Sequence, residues 1–140
     1  MKRILVAYDD TDSARRALDR TAELANAFEA QVIVTSVAPL MAASSRGAGP
    51  IDPTDSPARH VEELHTARGL LSERGVEAEV VAATGDPAKA IVMIAEERDV
   101  DLVVVGTREP DLAERILRHS VSAEVARRVH RDLLIVHPGH

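Results

Sequence analysis

The chain reads as an α/β protein whose parallel sheet is covered by helices on both faces. Three observations predict this. Apolar runs alternate with helical patterns in the order β-α-β-α-β-α-β-α-β. Most of those runs are continuous rather than alternating, as in strands buried on both sides. Two cap-plus-proline pairs, Ser56-Pro57 and Asp86-Pro87, open helices between them.

RILVAY (3–8) is the first strand. From Ser13 to Phe28, apolar residues recur at Ala14, Ala17, Leu18, Leu24, Ala25 and Phe28, close to the helical period. One of Asp10, Thr11 and Asp12 is expected to cap this helix. QVIVTSV (31–37) follows as the second strand. Pro39 to Asp55, rich in Gly, Ser, Pro and Ala, is the one long irregular segment, expected as a mobile stretch or a flap over a site. The helix opened by Ser56-Pro57 continues its face through Val61, Leu64 and Leu71, and Gly75 ends it. EAEVVAA (77–83) begins with alternation, which suits an edge strand. After Asp86-Pro87 come Ala90, Ile91, Ile94 and Ala95 at helical spacing, then the strand DLVVV (101–105). Ser120 can cap a last helix carrying Val121, Val125 and Val129. That helix ends in RRVHR (127–131), cations set against its C-terminal dipole. LLIVH (133–137) is the final strand.

A chain of 140 residues is expected to form a single domain, 1–140, and to bury roughly two-thirds of its unfolded surface. Phe28 and Tyr8 are the only aromatics, so Val, Ile, Leu and Ala must fill the core. A net charge of −6 and the lack of stacking aromatics argue against a nucleic-acid partner. With no cysteine, disulfides, thiolate metal sites and thiol catalysis are excluded. The start, MKRILVAYDD, reads as a strand and not a signal peptide, and no apolar run approaches a membrane span. The expected location is the cytoplasm. No two of the six histidines sit at the i, i+4 spacing that pairs ligands on one helix face. They are expected to be solvated surface groups, with no metal bound.

In open α/β sheets, ligands sit at the carboxyl ends of strands where the chain order reverses. Here those ends carry Tyr8-Asp9-Asp10-Thr11, the Pro39–Asp55 loop, Thr84-Gly85-Asp86 and the stretch GTREPDLAERILRHS, Gly106 to Ser120. The pair Asp9-Asp10 could bind Mg²⁺ as in receiver domains. Such a domain also needs an Asp closing the third strand and a Lys closing the fifth. This chain has Ala83-Thr84 and His137-Pro138 there, which excludes the reading. Asp9, at the strand end, is placed to take a ribose hydroxyl. The chain lacks GxxxxGK[ST], GxGxxG and G-x-S-x-G, and no residue stands out as a base with an orienting partner. Slow ATP hydrolysis is the most that enzymatic chemistry is expected to reach.

Several of these stretches together resemble the universal stress protein family. ILVAYDDTDSARRALD resembles that family's opening, which typically reads ILVAVDGSxxSxxAL. GDPAKAI (85–91) resembles its G-x-P-x-x-x-I element, and DLVVVGTR with SVSAEVARRVHRDLLIVHP resembles its last third. The likeness spans the chain in order and length. It implies a Rossmann-like five-stranded parallel sheet in the order 3-2-1-4-5, with four helices and with Asp9 and Gly106 facing one crevice. It also implies a homodimer through the last strand, Leu133, Leu134, Ile135 and Val136, an apolar edge that calls for a partner.

Many members of that family bind ATP through G-x2-G-x9-G-[ST]. On this chain the first glycine matches Gly106 and the serine matches Ser120, while Glu109 and His119 occupy the other two glycine positions. Asp9 matches the acid that contacts the nucleoside, and Val37 falls near the adenine-side position. Arg108, Val121 and Ser122 remain beside Gly106 and Ser120 as candidate contacts. Glycine lets backbone approach phosphate oxygens. His119 adds bulk there, and Glu109 adds a negative charge near a polyanion. At about 4 Å and an effective dielectric of about 20, one like-charge pair costs up to ~4 kcal/mol. The loop also balances its own charges, Arg108, Arg115 and Arg118 against Glu109, Asp111 and Glu114. The expected function is a cytoplasmic, homodimeric stress-response module with an unidentified regulatory protein partner, no nucleic acid and no membrane. ATP is its implied cofactor, and its nucleotide loop is partly degraded, so that binding is weak or absent. The alternative is an ATP-binding switch in which His119 and Arg108 replace the glycine contacts.

Overall fold

A computed structural model describes residues 1–9, 11–38, 57–107 and 121–138. Five strands form one parallel sheet: β1 (Arg3–Ala7), β2 (Gln31–Ala38), β3 (Ala78–Thr84), β4 (Leu102–Gly106) and β5 (Asp132–Val136). Among the described residues the connecting helices are α1 (Asp12–Phe28), α2 (Pro57–Glu73), α3 (Pro87–Glu97) and α4 (Val121–Arg128). The strand order is β3-β2-β1-β4-β5, as expected. The expectations for Pro39 to Asp55 and for the Ser56 and Ser120 caps lie outside the described residues.

β1 is central, with Leu5 in register with Ile33 of β2 on one side and Val103 of β4 on the other. Side chains alternate across the pleat. Ile4, Val6, Val34 and Val104 therefore pack with Leu18 and Ala22 of α1 and Leu64 and Leu71 of α2. Leu5, Ile33, Val103 and Val105 pack on the opposite face with Ile91 and Ile94 of α3 and Val125 of α4. Burying each such side chain contributes about 1.5–3 kcal/mol. The core is aliphatic, as the composition requires, with Tyr8 its one aromatic member.

Thr11 is the cap of α1, accepting from the Ala14 amide at 3.2 Å. Asp86 caps α3 and accepts from Lys89 N at 2.9 Å, with a proline in the first turn. Gly75 closes α2 at φ 80°. Asp101 ties the first strand down, accepting from Lys2 N at 2.7 Å and Arg3 N at 2.9 Å, and these amides lower its pKa. In the basic run, Arg127 and Arg128 pair with Glu124 of their own helix. Arg131 instead reaches Glu96 and Asp99 at the end of α3, at 3.1 and 2.8 Å.

Three expectations about side-chain direction are corrected. Phe28 is the last residue of α1 and is 55% exposed. Val61 is 44% exposed, whereas its neighbour His60 is only 8% exposed. Helical spacing explains the exchange: His60, Leu64, Ala67 and Leu71 share one buried stripe, and Val61 falls beside it.

Candidate functional site

β2 and β4 flank β1, and the chain leaves β1 toward β2 but arrives at β4 from the far edge strand β3. This reversal opens a crevice at the carboxyl ends of the strands. Its cavity is about 270 Å³ and its walls include Tyr8, Asp9, Ser13, Thr35, Val37, His60, Gly85, Gly106 and Val121. Of the residues chosen from sequence, Asp9, Val37, Gly106 and Val121 are thus brought together. Ser122 is buried in the first turn of α4 and is not part of the wall. Arg108, His119 and Ser120 lie outside the described residues. A wider depression of about 980 Å³ opens at the opposite end of the sheet, against Arg3, Glu79 and Arg98. There Arg98 pairs with Glu79 at 2.6 Å and Arg3 donates to the Arg98 carbonyl at 3.3 Å.

Each wall residue is set by local structure. β1 ends at Ala7, and the backbone continues with Tyr8 N donating to Thr35 O at 2.9 Å. Asp9 then stands exposed at the mouth, and its Oδ1 accepts from the Thr11 hydroxyl at 2.6 Å and the Thr11 amide at 3.3 Å. The acid and the helix cap are therefore one hydrogen-bonded unit. Gly85 takes φ 111°, a region that disfavours side chains, as β3 turns into α3, and its amide donates to Ala38 O at 2.8 Å. Gly106 has a different reason to be glycine. A Cβ there would lie 2.7 Å from Ser13 Oγ and 2.8 Å from the Ser13 carbonyl carbon. The start of α1 packs directly on the end of β4.

One polar group was missed by reading the sequence. Ser36 Oγ lies 2.6 Å from His60 Nδ1 and donates to Glu63 Oε2 at 3.4 Å. Glu63 also pairs with Arg59 at 3.4 Å. Ser36, His60 and Glu63 are all buried. Burial raises the Glu63 pKa above its ordinary value, and the charge of Asp9 adds to this, while His60 and Arg59 oppose it. The signal available in sequence was His60 and Glu63 at i, i+3, with His60 on the stripe of Leu64 and Leu71. A search for paired histidines could not register it.

The cluster contains a serine, a histidine and an acid without being a nucleophilic triad. In a triad the nucleophile and the acid bond opposite ring nitrogens. Here Ser36 meets Nδ1, and Glu63 lies on the same side of the ring, 3.9 Å from Nδ1. Ser36 is also 2% exposed, inside the sheet, where it cannot attack a substrate. Among the described residues no group of three or more metal-ligating side chains could hold a metal ion, and no helix is long and apolar enough to cross a membrane.

Residues 1–137 match the universal stress protein family. The chain is 33% identical over 141 residues to universal stress protein Rv1636 of Mycobacterium tuberculosis, covering 97% of this chain and 96% of that one. It is 31% identical to universal stress protein YxiE of Bacillus subtilis, covering 96% and 97%. Among solved structures, a universal stress protein in complex with cAMP superposes with a TM-score of 0.76 at 30% identity, covering 99% of this chain and 98% of that one. The universal stress protein of Archaeoglobus fulgidus in complex with dAMP gives 0.72 at 26% identity, covering 97% and 98%. With the sheet order, the crevice and the match over nearly its whole length in agreement, the chain belongs to the universal stress protein family.

Proposed function

We propose that this protein is a cytoplasmic, homodimeric stress-response module whose crevice receives an adenine nucleotide by its nucleoside end and holds a triphosphate tail weakly. The observation that carries this reading is the convergence of Asp9, Val37, Gly106 and Val121 on one cavity at the sheet's switch point. Its volume of about 270 Å³ lies near the lower end of the roughly 300–1,000 Å³ typical of small-molecule sites, which favours a compact ligand. Related universal stress proteins are known in complex with cAMP and dAMP. Asp9 Oδ1 is tethered by Thr11, so the carboxylate is pre-oriented at the mouth, where a ribose hydroxyl can donate to it.

A second reading is favoured by one observation. Gly106 is needed for packing against Ser13, whether or not phosphate lies near it. Retention of that glycine is therefore compatible with a nucleotide-free dimer that uses the same fold as an interaction module. β5 is the edge strand in either case, and Leu133, Leu134 and Ile135 are only half-buried in the single chain, which supports a partner there.

Titration calorimetry with AMP and ATP on wild type, Glu109→Gly, His119→Gly and the double variant separates these readings. Wild type is expected to bind AMP, and ATP only weakly. The double variant is expected to gain about 2–3 kcal/mol for ATP, roughly 30- to 150-fold. The Glu109 share should shrink as salt rises, because it is a charge effect. Tight ATP binding by wild type that the glycines weaken would make His119 or Glu109 a ligand contact. No binding of either nucleotide by any variant would establish the nucleotide-free reading.

A further inference from the structure

We propose that the open edge of β3 is a docking site for an extended, basic segment of a partner protein, which joins the sheet as an added strand. The site lies apart from the crevice and from β5, so it does not depend on whether a nucleotide binds. β3 is the outermost strand on its side of the sheet. Two bonds fix its backbone direction. Val81 O accepts from Thr35 Oγ1 at 2.8 Å, and Gly85 N donates to Ala38 O at 2.8 Å, so both residues turn their backbone groups toward β2. Along a strand these groups alternate sides. Ala78, Val80, Ala82 and Thr84 therefore direct their N–H and C=O groups outward, and among the described residues no backbone group meets them.

Such a row is a template for another strand, and proteins blunt it with a short strand, a bulge, a proline or a lysine. β3 has none of these. It runs seven residues, Ala78–Thr84, in unbroken register with Val32 to Ala38. Its sequence, AEVVAAT, holds one charge, Glu79, which Arg98 just past α3 engages at 2.6 Å. Its other side chains are small or β-branched: Val80, Val81 and Ala83 are half-buried, and Ala82 and Thr84 are exposed. Charge then selects the occupant. From Gly75 to Ala88 the chain carries Glu77, Glu79 and Asp86 and no Lys, Arg or His. Glu77 stands exposed before the strand and Asp86 exposed after it. Arg74, the preceding cation, pairs with Asp19 at 2.9 Å. A segment with Lys or Arg at its ends and β-branched residues between meets an acid at each end of the edge. A second copy of β3 would instead add its own Glu77, Glu79 and Asp86.

Amide exchange followed by NMR on wild type tests the edge itself. Without peptide, Val80, Ala82 and Thr84 should exchange at least about tenfold faster than Val81 and Ala83. Protection of Val80 and Ala82 in the free protein would mean that the edge is already covered, and overturns the proposal. The occupant is tested with a synthetic peptide of alternating valine and threonine with lysine at each end, against the same peptide with glutamate ends. The lysine peptide is expected to bind about tenfold tighter, to lose that advantage as salt rises, and to slow exchange at Val80 and Ala82. Ala82→Pro removes an N–H that the ladder does not use, so it should fold, as a thermal melt checks, and weaken the peptide by about tenfold or more. Glu77→Lys should weaken it by about 3- to 5-fold. If Ala82→Pro does not fold, Glu77→Lys and the wild-type exchange pattern still decide. Equal binding of the two peptides, binding of neither, or a folded Ala82→Pro that binds as tightly as wild type overturns the proposal. So does a larger mass in light scattering that Ala82→Pro abolishes without peptide, which would assign the edge to a second copy.

Discussion

Gly106, at the end of β4, lies so close to Ser13, in the first turn of α1, that no space is left for a β-carbon between them. The nearest atoms to an added methyl would be Ser13 Oγ and the backbone of Ser13 and Ala14, at 2.7 to 2.9 Å. Backbone cannot rotate out of the way as a side chain can. Gly106→Ala should therefore cost about 1–3 kcal/mol by overpacking. Differential scanning calorimetry on ligand-free protein measures it. Pairing it with Ser13→Ala, which removes only Oγ, should recover part of the loss. A neutral Gly106→Ala would show that α1 can move away from β4.

Glu63 gives a pH-dependent prediction. Its folded pKa is raised from the ordinary 4.5, so the folded state binds a proton more tightly than the unfolded one. Above the unfolded value, stability then falls as pH rises, until the pH passes the folded value. Glu63→Gln removes this slope. The variant should match wild type in acid below about pH 4 and gain on it progressively toward neutrality. Urea titrations across that range check the sign, and an advantage growing toward acid would contradict it.

Thr11 joins the crevice to a helix end. Its Oγ1 accepts from Ala14 N at 3.2 Å and donates to Asp9 Oδ1 at 2.6 Å. Thr11→Ala should cost about 1 kcal/mol, lowering Tm by about 3–5 °C. It should also weaken nucleotide binding by releasing Asp9 from its orientation. Thr11→Ser, which keeps the hydroxyl, should restore both.

Assembly is tested at β5. A charge at Ile135, in register with Val105, places a solvated group on the half-buried edge. Ile135→Lys should shift the proposed homodimer to monomer or to insoluble protein. Light scattering at micromolar concentration decides it, and a monomeric wild type would contradict the homodimer.

The fold was readable because its strands are continuous aliphatic runs and its helices carry local start signals. Ile4 to Val6 and Val103 to Val105 are apolar on both faces, which only a sheet covered twice can bury. Asp86-Pro87 and Gly75 mark helix ends through their own backbone preferences, and the structure puts them there. Strand ends shifted by a residue: β3 and β5 are Ala78–Thr84 and Asp132–Val136, because register with the neighbouring strand, not composition, sets the last pair. Asp9 and Gly106 could be named from their places at strand ends, and Val37 and Val121 from the family resemblance. His60 could not. Its burial comes from Ser36, a strand residue with no local tie to it, and from the phase of α2 against β2. Polar residues on an apolar stripe are discounted by periodicity, and that is where this site keeps its most distinctive group.

The lone tyrosine has an optical consequence. The chain has no tryptophan, and Tyr8 is its only tyrosine. That side chain is 2% exposed and forms part of the crevice wall beside Asp9. Phe28, the other aromatic ring, lies at the far end of α1. Intrinsic tyrosine fluorescence in this protein therefore arises at a single point, on the cavity surface. No label or engineered chromophore is needed to watch that cavity fill: its emission is a signal from the crevice, uncontaminated by any other part of the molecule.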